Sequence, residues 1–324
     1  MGYNITKMFT KLLLKGILTY IPGLYKLVSK GTGGTISARY CYSVWLRHLV
    51  MAYKNGLSTQ PDIIAELGPG DSLGIGIAAL LSGVNKYYAF DIVEYANNKR
   101  NIEIFDELVD LFNRREKIPD NTEFAEVKPH LESYKFPSHI LTEERLSNAL
   151  KQERIESIRN ALLNSWQGDN YNIQIFYFVP WHDPKVIKNE SIDMIYSQAV
   201  LEHIDNLSHT YKALYQWLKI GGFMSHVIDF RCHGFAKEWN GHWAYSDFVW
   251  KWIKGARPYL LNRQPYSVHI NLLQKFGFEV VYNVKIKDTS GIQQKNLASL
   301  FEDMTDDDLT TSVAFIQTVK KQKG

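Results

Sequence analysis

Short apolar runs alternate along this chain with segments whose apolar residues recur at helical spacing, the pattern of a parallel sheet wrapped by helices. The apolar runs predict strands over 63–67, 87–91, 173–178, 193–197, 222–229, 279–284 and 313–319. Helical periodicity predicts helices over 73–81, 102–114, 143–164, 207–218 and 268–275, the last stopped by Gly277. The stretch between the second and third strands is too long for one crossover helix. Residues 97–172 hold charged helical stretches and a link containing Pro119, Pro129 and Pro137, so they predict a helical insertion. After the fifth strand, residues 230–263 are crowded with Phe235, Trp239, Trp243, Tyr245, Phe248, Trp250, Trp252 and Tyr259. Ligands of open α/β sheets bind beyond the carboxyl ends of the strands, which places this aromatic excursion as a lid over a substrate.

Composition adds a real core, since 45% of the 324 residues are hydrophobic. Cys41 and Cys232 lie far apart without C-x-x-C spacing, which argues against a disulfide framework or a zinc site and for a reducing cytoplasm. The formal charge is only +3, but residues 1–61 carry eight Lys or Arg and no acid, so they predict a basic helical cap over 1–60. Within it, residues 8–27 mix Phe9, Leu12, Leu13, Leu14, Ile17, Leu18 and Ile21 with lysines. Lys11, Lys15 and Pro22 break the run before the roughly 18 residues of a membrane span, and no convincing leader cleavage site follows. Two readings stay open: an interfacial helix making peripheral contact with the inner face of a membrane, or an amphipathic helix packed on the protein's own core. The acidic run Glu302, Asp303, Asp306, Asp307 and Asp308 reads as a solvated loop and helix start.

The most informative stretch is Ile63 through Gly74, a buried strand entering a glycine turn. Gly68 and Gly70, with Pro69 between them, let a ligand approach the backbone, and the following helix points its N-terminal amides toward it. A dinucleotide fingerprint wants G-x-G-x-x-G, but Leu73 stands at the third glycine position and Gly74 comes one place late. A cofactor without phosphates needs only an open turn and a carboxylate for its positive groups, which Glu66 supplies, and S-adenosylmethionine is such a cofactor. Asp91, 23 residues after Gly68 and next to Ile92, is placed to accept both hydroxyl protons of a ribose.

Residues 191–204 then read as a strand and a polar turn, with Ser197 and Gln198 beside the cofactor and Val200-Leu201-Glu202-His203 in the turn. A helix follows, ending Leu218-Lys219-Ile220-Gly221-Gly222. In these ordered motifs, over about residues 60–230, the chain resembles class I S-adenosylmethionine-dependent methyltransferases, with Ile220 in place of a usual proline. The resemblance implies a seven-stranded Rossmann-like α/β sheet with the last strand antiparallel, filling a methyltransferase domain over 61–324. It implies Glu66 and the Gly68–Gly70 turn near the methionine moiety, Asp91 on the ribose, and Trp181 to Asp183 near adenine. Residues 31–47 and His226-Val227-Ile228-Asp229 with Asn262-Arg263 further resemble methyltransferases of surface-polysaccharide assembly. That subgroup implies O-methylation of a sugar hydroxyl in a glycan, free, nucleotide-linked or lipid-linked.

A sugar hydroxyl needs a base for its proton. The candidates are His226 with Asp229 as partner, His203 and His233. His226 and Asp229 converge only if the strand ends between them. A magnesium site at His226, Asp229 and His233 is disfavoured by its single acid, so no metal is expected. Trp243 and Tyr245 are candidate sugar platforms and Asn262 and Arg263 candidate acceptor contacts, while the tryptophans are equally explained as the lid's own core. Methylation of a small phenol, amine or carboxylate, and a non-catalytic membrane-associated scaffold that binds the cofactor, remain as alternatives. A nucleic-acid partner is not expected, because the positive charge is confined to one end.

Overall fold

The computed structural model describes residues 2–21, 34–163, 173–181, 183–257 and 259–322. Pro22, the glycines at 31 and 33, Asn164 and His182 lie outside the described residues. Strands β1 (Ile63–Leu67), β2 (Lys86–Phe90), β3 (Gln174–Phe178), β4 (Ile192–Gln198), β5 (Leu218–Asp229), β6 (Phe278–Lys287) and β7 (Thr311–Lys320) form one sheet in the order β3-β2-β1-β4-β5-β7-β6. β7 is antiparallel to both its neighbours and the other pairings are parallel. This is the seven-stranded sheet with an antiparallel last strand that was expected, and each predicted apolar run is one of its strands. β5 begins earlier than predicted. Its first residues pair irregularly, Ile192 facing Leu218 and Met194 facing Phe223, with Gly221 at φ +79 in the extra loop of chain.

The helices are α1 (Gly2–Leu18), α2 (Ala38–Lys54), α3 (Gly74–Leu80), α4 (Asn98–Asn113), α5 (Glu143–Ala149), α6 (Gln152–Leu163), α7 (Leu207–Trp217), α8 (Asp247–Lys254), α9 (Tyr266–Phe276) and α10 (Asp306–Thr310). The helix predicted over 143–164 is two, broken at Leu150 and Lys151. Each half is fastened to the turn between α3 and β2: Arg145 Nε donates to the Ser82 carbonyl at 3.1 Å, and Arg154 Nη1 donates to Asn85 Oδ1 at 2.6 Å. One acid of the C-terminal run is not simply solvated. Asp308 is buried and accepts from the Ser267 amide at 2.8 Å and the Ser267 hydroxyl at 2.6 Å, satisfying the first turn of α9.

The basic leading segment divides into two unlike parts. α2 has no polar face to betray it: Cys41, Tyr42, Val44, Trp45, Leu46, Arg47, His48 and Leu49 are all buried, and the helix joins α3 and α4 in the core on one side of the sheet. Buried Arg47 is satisfied by the carbonyls of Val127 (2.9 Å), Pro129 (2.9 Å) and Pro119 (3.0 Å), which ties the long loop of the insertion to this core. α1 instead lies on the lid, with Phe9, Leu12 and Leu13 packed against Trp250, Ile253, Leu260 and Leu261. On the opposite side of the sheet, α7 and α9 bury Leu207, Tyr211, Leu214 and Leu273.

Candidate active site

A cavity of about 680 Å³ opens where β1, β2 and β4 end. Gly68, Pro69 and Gly70 line it from the turn after β1, Asp91 and Ile92 from beyond β2, Trp181 from beyond β3, and Gln198 to Val200 from the end of β4. Gly68 (φ +63) and Gly70 (φ +73) both occupy the left-handed region. A Cβ on Gly68 would fall 2.6 Å from Val200 Cγ2, so the turns after β1 and β4 touch with no room for a side chain between them.

The amides at the start of α3 depart from expectation. Ser72 N donates to Thr35 Oγ1 at 3.1 Å, Leu73 N to Asn101 Oδ1 at 2.9 Å and Gly74 N to Ser72 Oγ at 3.1 Å. Protein side chains therefore already occupy the donors that an anion would use. Thr35 also donates to the Pro69 carbonyl at 2.9 Å, clamping the turn from the chain just ahead of α2.

Asp91 stands at the lip of the cavity. Its Oδ1 accepts from the Ile92 amide at 2.7 Å and the Val93 amide at 3.3 Å. Burial raises its pKa, and these amides with that of Gly70 oppose the rise. Glu66 sits elsewhere than expected: it is buried behind the turn, outside the cavity lining, and accepts from the hydroxyls of Tyr87 and Tyr196, the latter at 2.8 Å. Burial pushes its carboxyl up to about 7 against those two hydrogen bonds. It fastens the floor of the site.

At the other wall, the expected pairing of His226 with Asp229 does not form. β5 runs unbroken through Asp229, so the two side chains leave opposite faces of the sheet. His226 is buried with Nδ1 2.8 Å from Ser197 Oγ, and burial pushes its imidazole down to about 3. Neither His226 nor Ser197 lines the cavity. His203 and His233 do, their rings 5.4 Å apart. Asp229 is held by Arg231, with Nη2 at 2.6 Å and Nε at 2.9 Å, and lies 3.3 Å from His233 Nε2. Burial opposes its charge, but the hydrogen bonds from His233 and Arg231 win and keep the carboxylate well below its usual range. Burial, aided by the neighbouring His233, pushes His203 down to about 4.

The four proposed acceptor contacts belong to the framework of the lid, and none of them lines the cavity. Trp243 is fully buried and donates Nε1 to the Arg263 carbonyl at 2.9 Å; the Tyr245 hydroxyl donates to the Phe235 carbonyl at 2.9 Å. The Arg263 guanidinium donates to the Tyr245 carbonyl at 2.7 Å, pairs with Asp247 and lies 5.0 Å from the ring centres of both Trp250 and Phe301. Asn262 braces the turn after β4 by donating Nδ2 to the carbonyls of Leu201 (2.8 Å) and Ile204 (2.9 Å). Large rings and a guanidinium fork find more contact with one another than with a solvent-filled opening.

Sequence reasoning missed Thr35, Tyr40, Asn206 and His209, which line the cavity; of the aromatics expected to cover it, Tyr259 does line it. Asn206 had a local signal, as the residue capping α7 through its acceptance from the His209 amide at 3.0 Å. No Lys or Arg lines the cavity among the described residues, and no group of three His, Cys, Asp or Glu there could hold a metal ion.

No protein-family model matches the chain, and no curated protein matches it. Among solved structures, an S-adenosylmethionine-dependent methyltransferase from Methanosarcina mazei is 12% identical with a TM-score of 0.42, over 84% of this chain and 97% of that one. Another from Mesorhizobium loti is 12% identical with a TM-score of 0.38, over 80% of this chain and 91% of that one. Phosphoethanolamine N-methyltransferase 2 of Haemonchus contortus, solved with S-adenosyl-L-methionine, is 11% identical with a TM-score of 0.42, over 88% of this chain and 58% of that one.

Proposed function

We propose that this chain is an S-adenosylmethionine-dependent O-methyltransferase whose acceptor is a sugar hydroxyl of a glycan. The observation that carries the cofactor is the character of the cavity: a glycine turn whose helix amides are already bonded, an acid at the lip, and no lining Lys or Arg among the described residues. A diphosphate would find the amides of Ser72, Leu73 and Gly74 already taken and no Lys or Arg among the described lining residues. Asp91 would hold the ribose hydroxyls, Phe90, Ile92 and Trp181 would flank the adenine, and the backbone at Gly68 and Gly70 would admit the methionine portion. When bound, that cofactor supplies a methyl group already activated on a sulfonium. Alignment and proton removal are left to the protein.

His233 and Asp229 suit the second task. A carboxylate only accepts, so His233 Nε2 carries the hydrogen facing Asp229, and Nδ1 is the lone-pair atom of the neutral ring. That atom would receive the proton of the acceptor hydroxyl. Asp205, Asn206, His209 and Thr210 at the rim offer several hydrogen-bonding partners, which favours a polyhydroxylated acceptor over a flat apolar one. Calorimetry and labelled methyl transfer across a panel of sugars, phenols and amines test the reading. Asp91→Ala should lower cofactor affinity by about tenfold or more, and His233→Ala should spare that affinity while slowing turnover about 10²-fold. Absence of cofactor binding would sink the whole reading; transfer to phenols or amines alone would sink the acceptor.

A further inference from the structure

α1 has two apolar faces, and only one of them is covered. Phe9, Leu12 and Leu13 face the lid, and Gly16 lies so close to the α8 backbone at Trp252 that no Cβ would fit. Leu14, Ile17 and Leu18 recur at helical spacing on the outer side and are exposed, Leu14 by 56%, and exposed Ile21 follows just past the helix end. α8 extends the same surface with Phe248, 71% exposed, and Trp252, whose ring meets that of Tyr20 at 6.3 Å. The result is a contiguous aliphatic and aromatic patch made from two helices locked together.

Its border is positive. Lys7, Lys11, Lys15 and Lys251 are exposed and enter no ion pair among the described residues, while the nearby acids Asp247 and Asp205 are taken by Arg263 and Lys254. We propose that this two-helix patch docks the protein on an anionic lipid surface, with its apolar and aromatic side chains at the headgroup boundary and its lysines against the charged headgroups. A second copy fits less well, because a two-fold contact would bring lysine against lysine with no free acid to meet them. No helix among the described residues is long and apolar enough to cross a membrane, so the contact is one of lying on the surface. The Lys254–Asp205 pair joins α8 to the rim of the cavity, which puts the docked face beside the opening.

This inference stands apart from the methyl-transfer reading. Co-sedimentation of the full chain with vesicles of phosphatidylglycerol and phosphatidylcholine, against phosphatidylcholine alone, tests it. The chain should sediment with the anionic vesicles only. Lys11→Glu with Lys15→Glu, and separately Leu14→Ser with Ile17→Ser, should each reduce binding at least about tenfold, given roughly fivefold per lysine, with the melting temperature unchanged. No sedimentation, binding indifferent to both pairs of substitutions, or a dimer in solution that Leu14→Ser with Ile17→Ser dissolves would overturn the proposal.

Discussion

In the turn after β1 the two glycines that stand out in the sequence face the cavity, whereas in the segment after β5 Trp243, Tyr245 and Arg263 face one another. Gly68 and Gly70 line the opening, with positive φ that their lack of a side chain permits. Trp243, Tyr245 and Arg263 are equally conspicuous, yet their hydrogen bonds end on Arg263, Phe235 and Tyr245 backbone carbonyls inside the lid. Glycine acts through the backbone, and a backbone turn is in place wherever the strand ends. A tryptophan acts through a side chain long enough to point either way, and burial decides the direction.

The largest effect should come from Gly68→Ala. Its Cβ meets Val200 and its φ is unfavourable, so cofactor affinity measured by calorimetry should fall about hundredfold or more. Adding Val200→Ala should restore part of it; no recovery would mean that contact between the two turns is not what the glycine serves. Next is Arg263→Ala, which leaves the Tyr245 carbonyl without its donor and opens a void beneath Trp250. Denaturant unfolding should show a loss of about 2–3 kcal/mol, with the acceptor KM of the remaining folded enzyme within a few fold of the parent. A large rise in KM at unchanged stability would return Arg263 to the acceptor site and erase the contrast.

The most local test concerns pH. His242, beside Trp243 in the lid, is buried and held down to about 3 by that burial. Its folded pKa lies below the unfolded value, so its contribution is fully present above about pH 6.5 and is lost as pH falls toward the folded pKa. His242→Gln should flatten the pH dependence of stability between about pH 6.5 and 4 by one proton, about 1.4 kcal/mol per pH unit. The other buried histidines act alike in both chains, and the difference isolates this one. An unchanged slope would mean that the lid opens to solvent around His242 before the rest unfolds.

The sequence was most readable where the information was local and repeated. All seven strands, the glycine turn, the acid after β2 and the αL stop at Gly277 (φ +89) follow from periodicity and backbone chemistry. α2 was legible only as part of a helical cap, without bounds, for the opposite reason: buried nearly all round, it has no polar face to set a period. The histidines divide on a point the strand itself fixes. Alternation along an unbroken β5 sends His226 and Asp229 apart, but where β5 stops depends on its pairing with β7, which holds Asp229 opposite Val313.

By itself, then, the amino-acid order determined the strands of the sheet, its punctuation and the glycine turn that lines the cavity, because these rest on spacing and on φ. Only the tertiary structure decided that Glu66 lies behind the turn, that Asp229 lies against His233, that Thr35 and Asn101 occupy amides at the start of α3, and that Trp243 and Trp250 of the lid turn inward. Each of those is a contact between side chains far apart in the chain, set by which surfaces exclude water together and which polar atoms must then find partners.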